Sequence, residues 1–283
     1  MTSVAIIGGG ITGLTAAFRL KQRGIPVTVY EAGDRVGGVI QTVKRDGFLA
    51  ECGPNSLLET SPLIKDLVRD LNLESARLYS DPRAEKRFLV RGGESVELPG
   101  SPGQFFGTKL FSAGAKARLF AEPFIRRSPV DVEESLGQFV LRRLGQEFLD
   151  YAINPFVAGV YAGDPMKLSV KQAFPKLHGI EQRYGSLILG QFLGARERKK
   201  RKEVSKQSAP KLSFNDGLQQ LTDTLHKELN ECVRLRSSVQ SINQTTEGWT
   251  ITTGGASTSE HDHSAVLLAS PSHRLADIKL RTN

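Results

Sequence analysis

Residues 4–38 read VAIIGGGITGLTAAFRLKQRGIPVTVYEAGDRVGG, and this stretch decides the fold. The apolar run Val4–Ile7 predicts a buried strand that enters a tight turn at the glycines that follow it. Apolar residues then recur at helical spacing until Gly24, and Val27–Tyr30 is a second apolar strand. A strand, a helix and a strand in this order form a βαβ unit, which predicts a parallel sheet.

The turn after the first strand carries a glycine pattern, because Gly8, Gly10 and Gly13 form GxGxxG. The first glycine permits the tight turn, the second lets backbone approach a pyrophosphate, and the third lets the helix pack on the strand. The helix N-terminus offers N–H groups to phosphates. Glu31 follows roughly 20 residues later at a strand end, where a carboxylate can accept hydrogen bonds from ribose hydroxyls. The pattern predicts a dinucleotide site without separating nicotinamide from flavin.

Length and composition exclude several classes of protein. The chain has 283 residues, 39% hydrophobic and 24% charged, which is typical of one large or two soluble domains and not of a disordered or fibrous chain. No apolar run reaches the roughly 18 residues of a membrane-spanning helix, and the first ten residues lack signal-peptide features. Cys52 and Cys232 form no disulfide framework. We therefore expect a cytoplasmic protein.

The positive charge is concentrated in one place. The net charge is +8, and Arg196–Lys206 alone carries seven Lys or Arg and two Glu. The remainder is unremarkable and the run contains no aromatic residues, so nucleic-acid binding is not expected. A solvated loop or exposed helix end is the favoured interpretation. Contact with an anionic membrane surface, worth ~1 kcal/mol per basic residue, is the alternative.

The rest of the chain contains a mostly helical region, followed by a region of short strands. Lys109–Arg127 and Glu133–Phe156 carry apolar residues at three- and four-residue spacing, which predicts a helical middle region. Leu218–Leu229 predicts another helix, and short apolar runs from Val233 to Ala269 predict strands that return to a sheet. The pattern indicates an α/β domain interrupted by a helical insertion.

A second glycine-rich loop follows Glu31 and separates flavin from nicotinamide. Arg35, Gly37 and Gly38 form an Arg-x-Gly-Gly motif, which resembles the motif of the flavin amine-oxidase superfamily. The resemblance implies a second backbone approach to the FAD diphosphate, with an arginine adding positive charge. A surface turn is the alternative interpretation.

Later segments resemble the protoporphyrinogen oxidase family within that superfamily. They are Glu51–Ser56 (ECGPNS), Lys86–Phe88 (KRF), Asn154–Pro165 (NPFVAGVYAGDP), Ser213–Leu218 (SFNDGL) and Ala269–Pro271 (ASP). The resemblance spans nearly the whole chain and implies a Rossmann-like α/β domain for FAD with a helical insertion. It implies an FAD-binding domain from 1–56 plus 207–283, part of a substrate domain at 57–97 and a helical domain at 98–206.

The resemblance also assigns site residues. Contacts with FAD are implied for Gly8, Gly10, Ile11, Thr12, Gly13, Glu31, Ala32, Arg35, Gly37, Gly38, Gly53, Pro54, Asn55, Ser56 and Val239. Arg87 would hold a substrate propionate, Phe156 would contact the substrate, and Gly159 would lie beside the reactive centre as the catalytic position. Without the resemblance, Arg87 is better interpreted as a surface residue. The five histidines predict no metal site.

The implied activity is FAD-dependent oxidation of protoporphyrinogen IX to protoporphyrin IX with dioxygen, a step of haem and chlorophyll biosynthesis. A coproporphyrinogen III oxidase of the same fold and an inactive, truncated flavoprotein remain as alternatives. Lys86-Arg87 and the Ala-Gly-Asp-Pro segment argue against an amine oxidase or a carotenoid desaturase. The implied partners are a porphyrinogen and dioxygen, while a peripheral membrane contact and a homodimer stay open.

Two further expectations concern completeness and membrane contact. Family members continue past the segment that matches Ala269–Pro271 and add a C-terminal Gly-Asp motif for the flavin, so we expect an N-terminal part that retains FAD weakly and lacks porphyrinogen oxidation.

An amphipathic membrane surface or an ordinary core-facing helix are equal alternatives for one set of residues. These are Leu110, Phe111, Leu119, Phe120, Phe124 and Ile125, with Lys109, Lys116, Arg118, Arg126 and Arg127.

Overall fold

The computed structural model describes residues 3–129, 132–191, 193–194, 209–254 and 258–282. The chain divides into a first unit, Met1–Ser80 with Val204–Asn283, and a second unit, Asp81–Glu203. The basic run Arg196–Lys206 lies outside the described residues.

The first unit contains three helices and most of the strands among the described residues. In chain order these are β1 (Val4–Ile7), α1 (Ile11–Gln22), β2 (Val27–Tyr30), β3 (Thr42–Arg45), β4 (Phe48–Glu51), β5 (Leu57–Leu58), α2 (Pro62–Asp70), β6 (Arg77–Tyr79), β9 (Lys211–Phe214), α10 (Gln219–Leu229), β10 (Val233–Arg234), β11 (Ser238–Gln244), β12 (Trp249–Gly254), β13 (Ser259–His263), β14 (Ala265–Leu268) and β15 (Lys279–Arg281).

A parallel sheet of order β10-β2-β1-β14 forms the centre of the first unit. The predicted βαβ unit is confirmed by β1, α1 and β2. On one face, Ile6 and Val29 pack with buried residues of α1 and α10, including Leu14 and Leu225. Strands of a parallel sheet are buried on both faces, which is why they read as continuous apolar runs.

The strand order makes β1 the point where the chain changes direction. From β1 the chain proceeds through α1 to β2 on one side, whereas β14 lies on the other side of β1. In open α/β sheets, ligands bind in the crevice outside the carboxyl ends of the strands at such a switch point. The loop that follows β1 therefore lies where a ligand is expected.

A second sheet of order β13-β12-β11-β15 covers the other face of the first. Its residues Val239 and Ile242 are buried in one cluster with Ala5, Ile7 and Tyr30 of the parallel sheet. The prediction that the late strands return to one sheet therefore holds only for β10 and β14. The physical reason is that the buried residues of β11, Val239 and Ile242, pack on the face of the parallel sheet and do not pair with its edge.

The boundary between the units differs from the predicted one. The segment 57–97, predicted as part of a substrate domain, is divided between the two units, because β5 and β6 both pair with β9 and so join the first unit. The β7–β8 hairpin, Phe88–Arg91 with Glu94–Glu97, belongs to the second unit. Strand pairing between residues far apart in sequence decides this division.

The second unit is mostly helical, as predicted. After the hairpin come α3 (Pro102–Gly107), α4 (Ala113–Ala121), α5 (Leu136–Arg143), α6 (Gln146–Phe148), α7 (Asn154–Tyr161), α8 (Val170–Ala173) and α9 (Pro175–Tyr184). Leu110 and Phe111 are fully or nearly fully buried in its core, so they do not belong to an exposed amphipathic surface. Among the described residues, none of the helices combines the length and apolarity needed to cross a bilayer.

Buried charges connect the helices of the second unit. The Arg143 guanidinium donates to Glu122 Oε1 at 2.9 Å and to Glu181 Oε1 at 2.7 Å, and all three side chains are fully buried. Glu122 also accepts hydrogen bonds from the backbone N–H of Leu187 and Ile188, at the start of the next helical segment. Buried charges persist only when paired and hydrogen-bonded, so this network fixes the relative positions of these segments.

A buried histidine connects the two sheets of the first unit. His263 Nε2 lies 2.8 Å from the Tyr30 hydroxyl, and its Nδ1 lies 3.2 Å from Ser3 Oγ. Burial, and then the positive charges of His261 and Arg234, lower the pKa of His263 below its ordinary value. The imidazole is therefore neutral in the folded protein at neutral pH.

This pKa shift predicts a pH dependence of stability. Below about pH 6.5 the unfolded chain takes up a proton at His263 before the folded chain does, so His263's contribution to stability is full above that pH and is lost as the pH falls below it. Urea unfolding of the protein between pH 7.5 and 5 measures this loss. The His263→Gln variant should show a smaller fall in unfolding free energy, and the exposed control His273→Gln should follow the original chain. An unchanged pH dependence in His263→Gln would contradict the assignment.

Candidate dinucleotide-binding site

The first glycine loop lies at the carboxyl end of β1 and is shaped by close backbone contacts. Gly8 has a φ of +114°, and a Cβ on Gly13 would collide with the carbonyl oxygen of Gly8. Gly10 is the N-cap of α1 and has open space on its side-chain face. Because Gly10 has no side chain, the N–H groups of Ile11 and Thr12 have no capping side chain and are available to an anion.

Glu31 ties this loop to the end of β2. Its Oε2 accepts the Gly9 N–H and its Oε1 accepts the Gly33 N–H, each at 2.7 Å. A carboxylate oxygen can accept two hydrogen bonds, so each oxygen keeps one position for a ribose hydroxyl. Ala32 is exposed beside it.

The second glycine loop lies directly against the first. Gly37 N–H donates to Gly9 O at 2.8 Å, and a Cβ on Gly38 would lie 3.4 Å from the Cα of Gly10. Gly37 and Gly38 both have positive φ, at +99° and +59°. The structure therefore brings the two glycine motifs together as one continuous backbone surface.

Arg35 organises the second loop. Its guanidinium donates to the carbonyl oxygens of Val36 and Ile40 at 3.0 Å and of Gly38 at 2.7 Å. Most of its five N–H groups are thus committed to the loop itself. Its positive charge lies at the glycine surface, and a direct contact with a diphosphate stays a prediction.

The Glu51–Ser56 turn lies against the second loop. Cys52 N–H donates to Gln41 O at 2.8 Å, and a Cβ on Gly53 would collide with the carbonyl oxygen of Val39. Pro54, Asn55 and Ser56 are exposed beyond this contact. Close approach of the two backbones is therefore the reason for glycine at position 53.

Sequence reasoning missed the role of Glu51. Its Oε1 accepts the Leu218 N–H at 2.7 Å and its Oε2 accepts the Thr42 hydroxyl at 2.8 Å, at the turn that precedes α10. The acidic residue and the Gly217-Leu218 turn were both visible as motifs. Their contact was not visible, because 167 positions separate them.

Val239 lies two residues after a segment whose backbone is hydrogen-bonded to the end of β2. Ser237 N–H donates to Glu31 O and Arg236 N–H donates to Gly33 O, each at 2.8 Å. Two residues later, the side chain of Val239 is buried in the core between the sheets. The contact of its backbone with an adenine stays a prediction.

The predicted substrate residues lie in the second unit. Arg87 is exposed immediately before β7, and Phe156 in α7 is 43% exposed, with its ring centroid 6.2 Å from that of Phe174. Gly159 is exposed in the same helix, and a Cβ there would contact nothing within 4 Å. The described contacts give no packing reason for glycine at position 159.

The residues of the first unit fit the ADP portion of FAD. The loops provide uncapped N–H groups for phosphates, and Glu31 keeps acceptor positions for ribose. The collisions that a Cβ would cause at Gly13 and Gly53 show that this surface depends on glycine. The arrangement can bind and orient a dinucleotide.

A substitution at Glu31 tests this site. The Glu31→Gln variant replaces one acceptor oxygen by an NH₂ group, which removes a loop contact and a ribose contact, so we expect FAD affinity to fall about tenfold. A fluorescence titration with FAD measures the affinity. Glu231→Gln makes the same chemical change at an exposed position of the first unit and should bind as the original chain does. Equal affinity of Glu31→Gln and Glu231→Gln would exclude this role.

Comparisons with known sequences agree with the motifs. The family described as flavin containing amine oxidoreductase matches residues 11–282. The chain is 33% identical over 299 residues to protoporphyrinogen oxidase 2 of Arabidopsis thaliana, a match that covers 98% of this chain and 59% of that protein. It is 37% identical over 239 residues to coproporphyrinogen III oxidase of Bacillus subtilis, covering 80% and 51%.

Comparisons with solved structures agree as well. A proposed protoporphyrinogen oxidase from Exiguobacterium sp. 255-15 superposes with a TM-score of 0.70 at 25% identity, covering 97% of this chain and 60% of that one. A putrescine oxidase with bound putrescine superposes with a TM-score of 0.68 at 21% identity, which shows the same fold. The chain spans about 59% of the length of its Arabidopsis relative. The predicted α/β flavoprotein fold and flavin cofactor are confirmed, and the chain belongs to the flavin containing amine oxidoreductase family.

Proposed function

We propose that this chain provides the FAD-binding part of an oxidase that converts protoporphyrinogen IX to protoporphyrin IX with dioxygen as electron acceptor. The observation that carries the proposal is the continuous surface of two glycine loops tied to Glu31. The name of the Arabidopsis relative, which aligns with 98% of the chain, supports the substrate. Bound FAD would supply the acceptor for hydride removal from a porphyrinogen ring carbon.

The first unit provides the cofactor contacts, and the second unit provides the substrate contacts. In the first unit the loop N–H groups would hold the diphosphate and Glu31 would hold the ribose of FAD. In the second unit the exposed guanidinium of Arg87 would bind a propionate through a charge-assisted hydrogen bond. The partly exposed ring of Phe156 would contact the macrocycle, and the open space at Gly159 would admit it closely.

Coproporphyrinogen III is the second candidate substrate. The Bacillus subtilis relative, 37% identical over 239 residues, supports it. Both porphyrinogens carry propionates, so an exposed arginine at position 87 suits either one. The two substrates therefore have to be compared directly.

An assay with both porphyrinogens tests the activity. Because the chain spans about 59% of its Arabidopsis relative, we expect saturable but weak FAD binding and porphyrin formation no faster than the non-enzymatic rate. Porphyrin fluorescence and flavin absorbance per protein measure the two quantities. Fluorescence above the non-enzymatic rate, or stoichiometric flavin after purification, would contradict the expected weakness. A complete lack of FAD binding would contradict the proposed function itself.

We also propose that the second unit contacts anionic membrane from the cytoplasmic side. Phe106, Phe120 and Phe124 are 56%, 70% and 89% exposed, and the rings of Phe106 and Phe120 stack with centroids 6.3 Å apart. Arg126 and Arg127 are exposed shortly after Phe124 in sequence. Exposed aromatic rings beside basic residues are typical of surfaces that enter the lipid headgroup region.

Removing two of these rings tests the membrane proposal. The double variant Phe120→Ser with Phe124→Ser should lose more than about half of its co-sedimentation with anionic liposomes, because apolar burial and charge act together at such surfaces. Phe48→Ser makes the same change at a residue of the first unit that is also mostly exposed and should bind normally. Unchanged binding by the double variant would contradict the proposal.

A further inference from the structure

A surface cavity of the first unit lies where β1 begins, whereas the glycine loops lie where β1 ends. Its volume is about 680 Å³, which is in the range of small-molecule sites. The residues that line it are Ser3, Thr245–Thr250 and Asp262–Ser264. We call it the β11–β12 cavity, because the loop between these two strands forms one of its walls.

The walls of the β11–β12 cavity are held by backbone contacts. Thr245 N–H donates to Gly248 O at 2.9 Å, which closes the loop between β11 and β12. A Cβ on Gly248 would lie 2.3 Å from the carbonyl oxygen of His263, so this loop lies directly against the end of β13. Ser264 N–H donates to Ser3 O at 2.9 Å on the other side. The cavity is therefore enclosed by segments that are hydrogen-bonded or packed against one another.

The lining of the β11–β12 cavity is negatively charged. It contains the carboxylates of Glu247 and Asp262 and neither Lys nor Arg. Among the described residues, neither carboxylate forms an ion pair, and Asp262 Oδ1 accepts the Thr250 hydroxyl at 2.6 Å. His263 is neutral at neutral pH and does not offset this charge. A concave surface that carries charges of one sign concentrates ions of the opposite sign, even on a chain whose net charge is +8.

Trp249 adds an aromatic ring to this negative lining. It is the only tryptophan of the chain, and its side chain packs in part against the core between the two sheets. An indole ring attracts cations, and the hydroxyl groups of the lining can accept hydrogen bonds from an ammonium group. Within the described parts of the chain, no group of three or more His, Cys, Asp or Glu could hold a metal ion. The lining therefore suits an organic cation better than a metal ion.

We propose that the β11–β12 cavity binds a small organic ammonium ion. The carboxylates of Glu247 and Asp262 attract the charged nitrogen, the hydroxyl groups accept its N–H groups, and the indole of Trp249 contacts its alkyl part. The proposal does not depend on FAD binding, because this cavity and the glycine loops lie at opposite ends of β1.

A titration of the full chain with n-butylammonium, followed by tryptophan fluorescence at low ionic strength, tests the proposal. Because Trp249 is the only tryptophan, the emission reports on the cavity. Butylammonium should give a saturable change whose affinity falls with added salt, since salt screens exposed charges. The neutral probe n-butanol has the same alkyl chain and should give no saturable change.

Substitutions in the lining test the individual contacts. The double variant Glu247→Gln with Asp262→Asn should bind butylammonium about fivefold more weakly, because two exposed ion pairs are lost. Glu231→Gln with Asp46→Asn makes the same chemical changes at exposed positions outside the cavity and should bind as the original chain does. Trp249→Leu, measured by calorimetry, should bind about threefold more weakly, because the aromatic ring is lost.

Three results would overturn the proposal. A saturable response to n-butanol of the same affinity would show that the charge of the ligand does not matter. Equal affinities of the double variant and its control would remove the two carboxylates from the site. The lack of a saturable response from the original chain, with the circular dichroism spectrum of a folded protein, would show that the cavity binds no such ion.

Discussion

The carboxylate of Glu31 is the interaction on which the site depends. It accepts backbone N–H groups from Gly9 and Gly33, and Gly9 in turn accepts the N–H of Gly37 through its carbonyl. One side chain at the end of β2 thereby fixes the loop after β1 and, through that loop, the second glycine motif. Hydrogen bonds to an ionised acceptor are stronger than neutral ones, which suits a residue that positions two loops.

The local part of this arrangement could be predicted from sequence. The continuous apolar run of β1 and the helical spacing of α1 follow from burial on both faces of a parallel sheet, and the positions of Gly8, Gly13 and Glu31 follow from the contacts that a dinucleotide loop needs. All of these features lie within one stretch of about 30 residues. Their geometry is dictated by neighbours along the chain.

Features that depend on distant partners could not be predicted. Periodicity shows that β11 has one buried face, but it does not show whether that face covers the parallel sheet or joins it. Glu51 and Leu218 are hydrogen-bonded but lie far apart in sequence, because the whole second unit is inserted between them. The apolar spacing around Leu110 and Phe111 likewise fits a core or a surface, and the packing of the second unit's core decides between them.

The two sides of the crevice are held unequally, and this bears on how the chain binds a dinucleotide. Strand β2 has neighbours on both sides, β10 and β1, and the backbone of Glu31 exchanges two hydrogen bonds with Arg234 and Ser237. Among the described strands, β14 has only β1 as a neighbour. The ribose side is therefore pre-organised by more contacts than the β14 side, so less ordering is needed for adenosine to bind there. Most of the affinity of this chain for FAD should accordingly reside in the adenosine half.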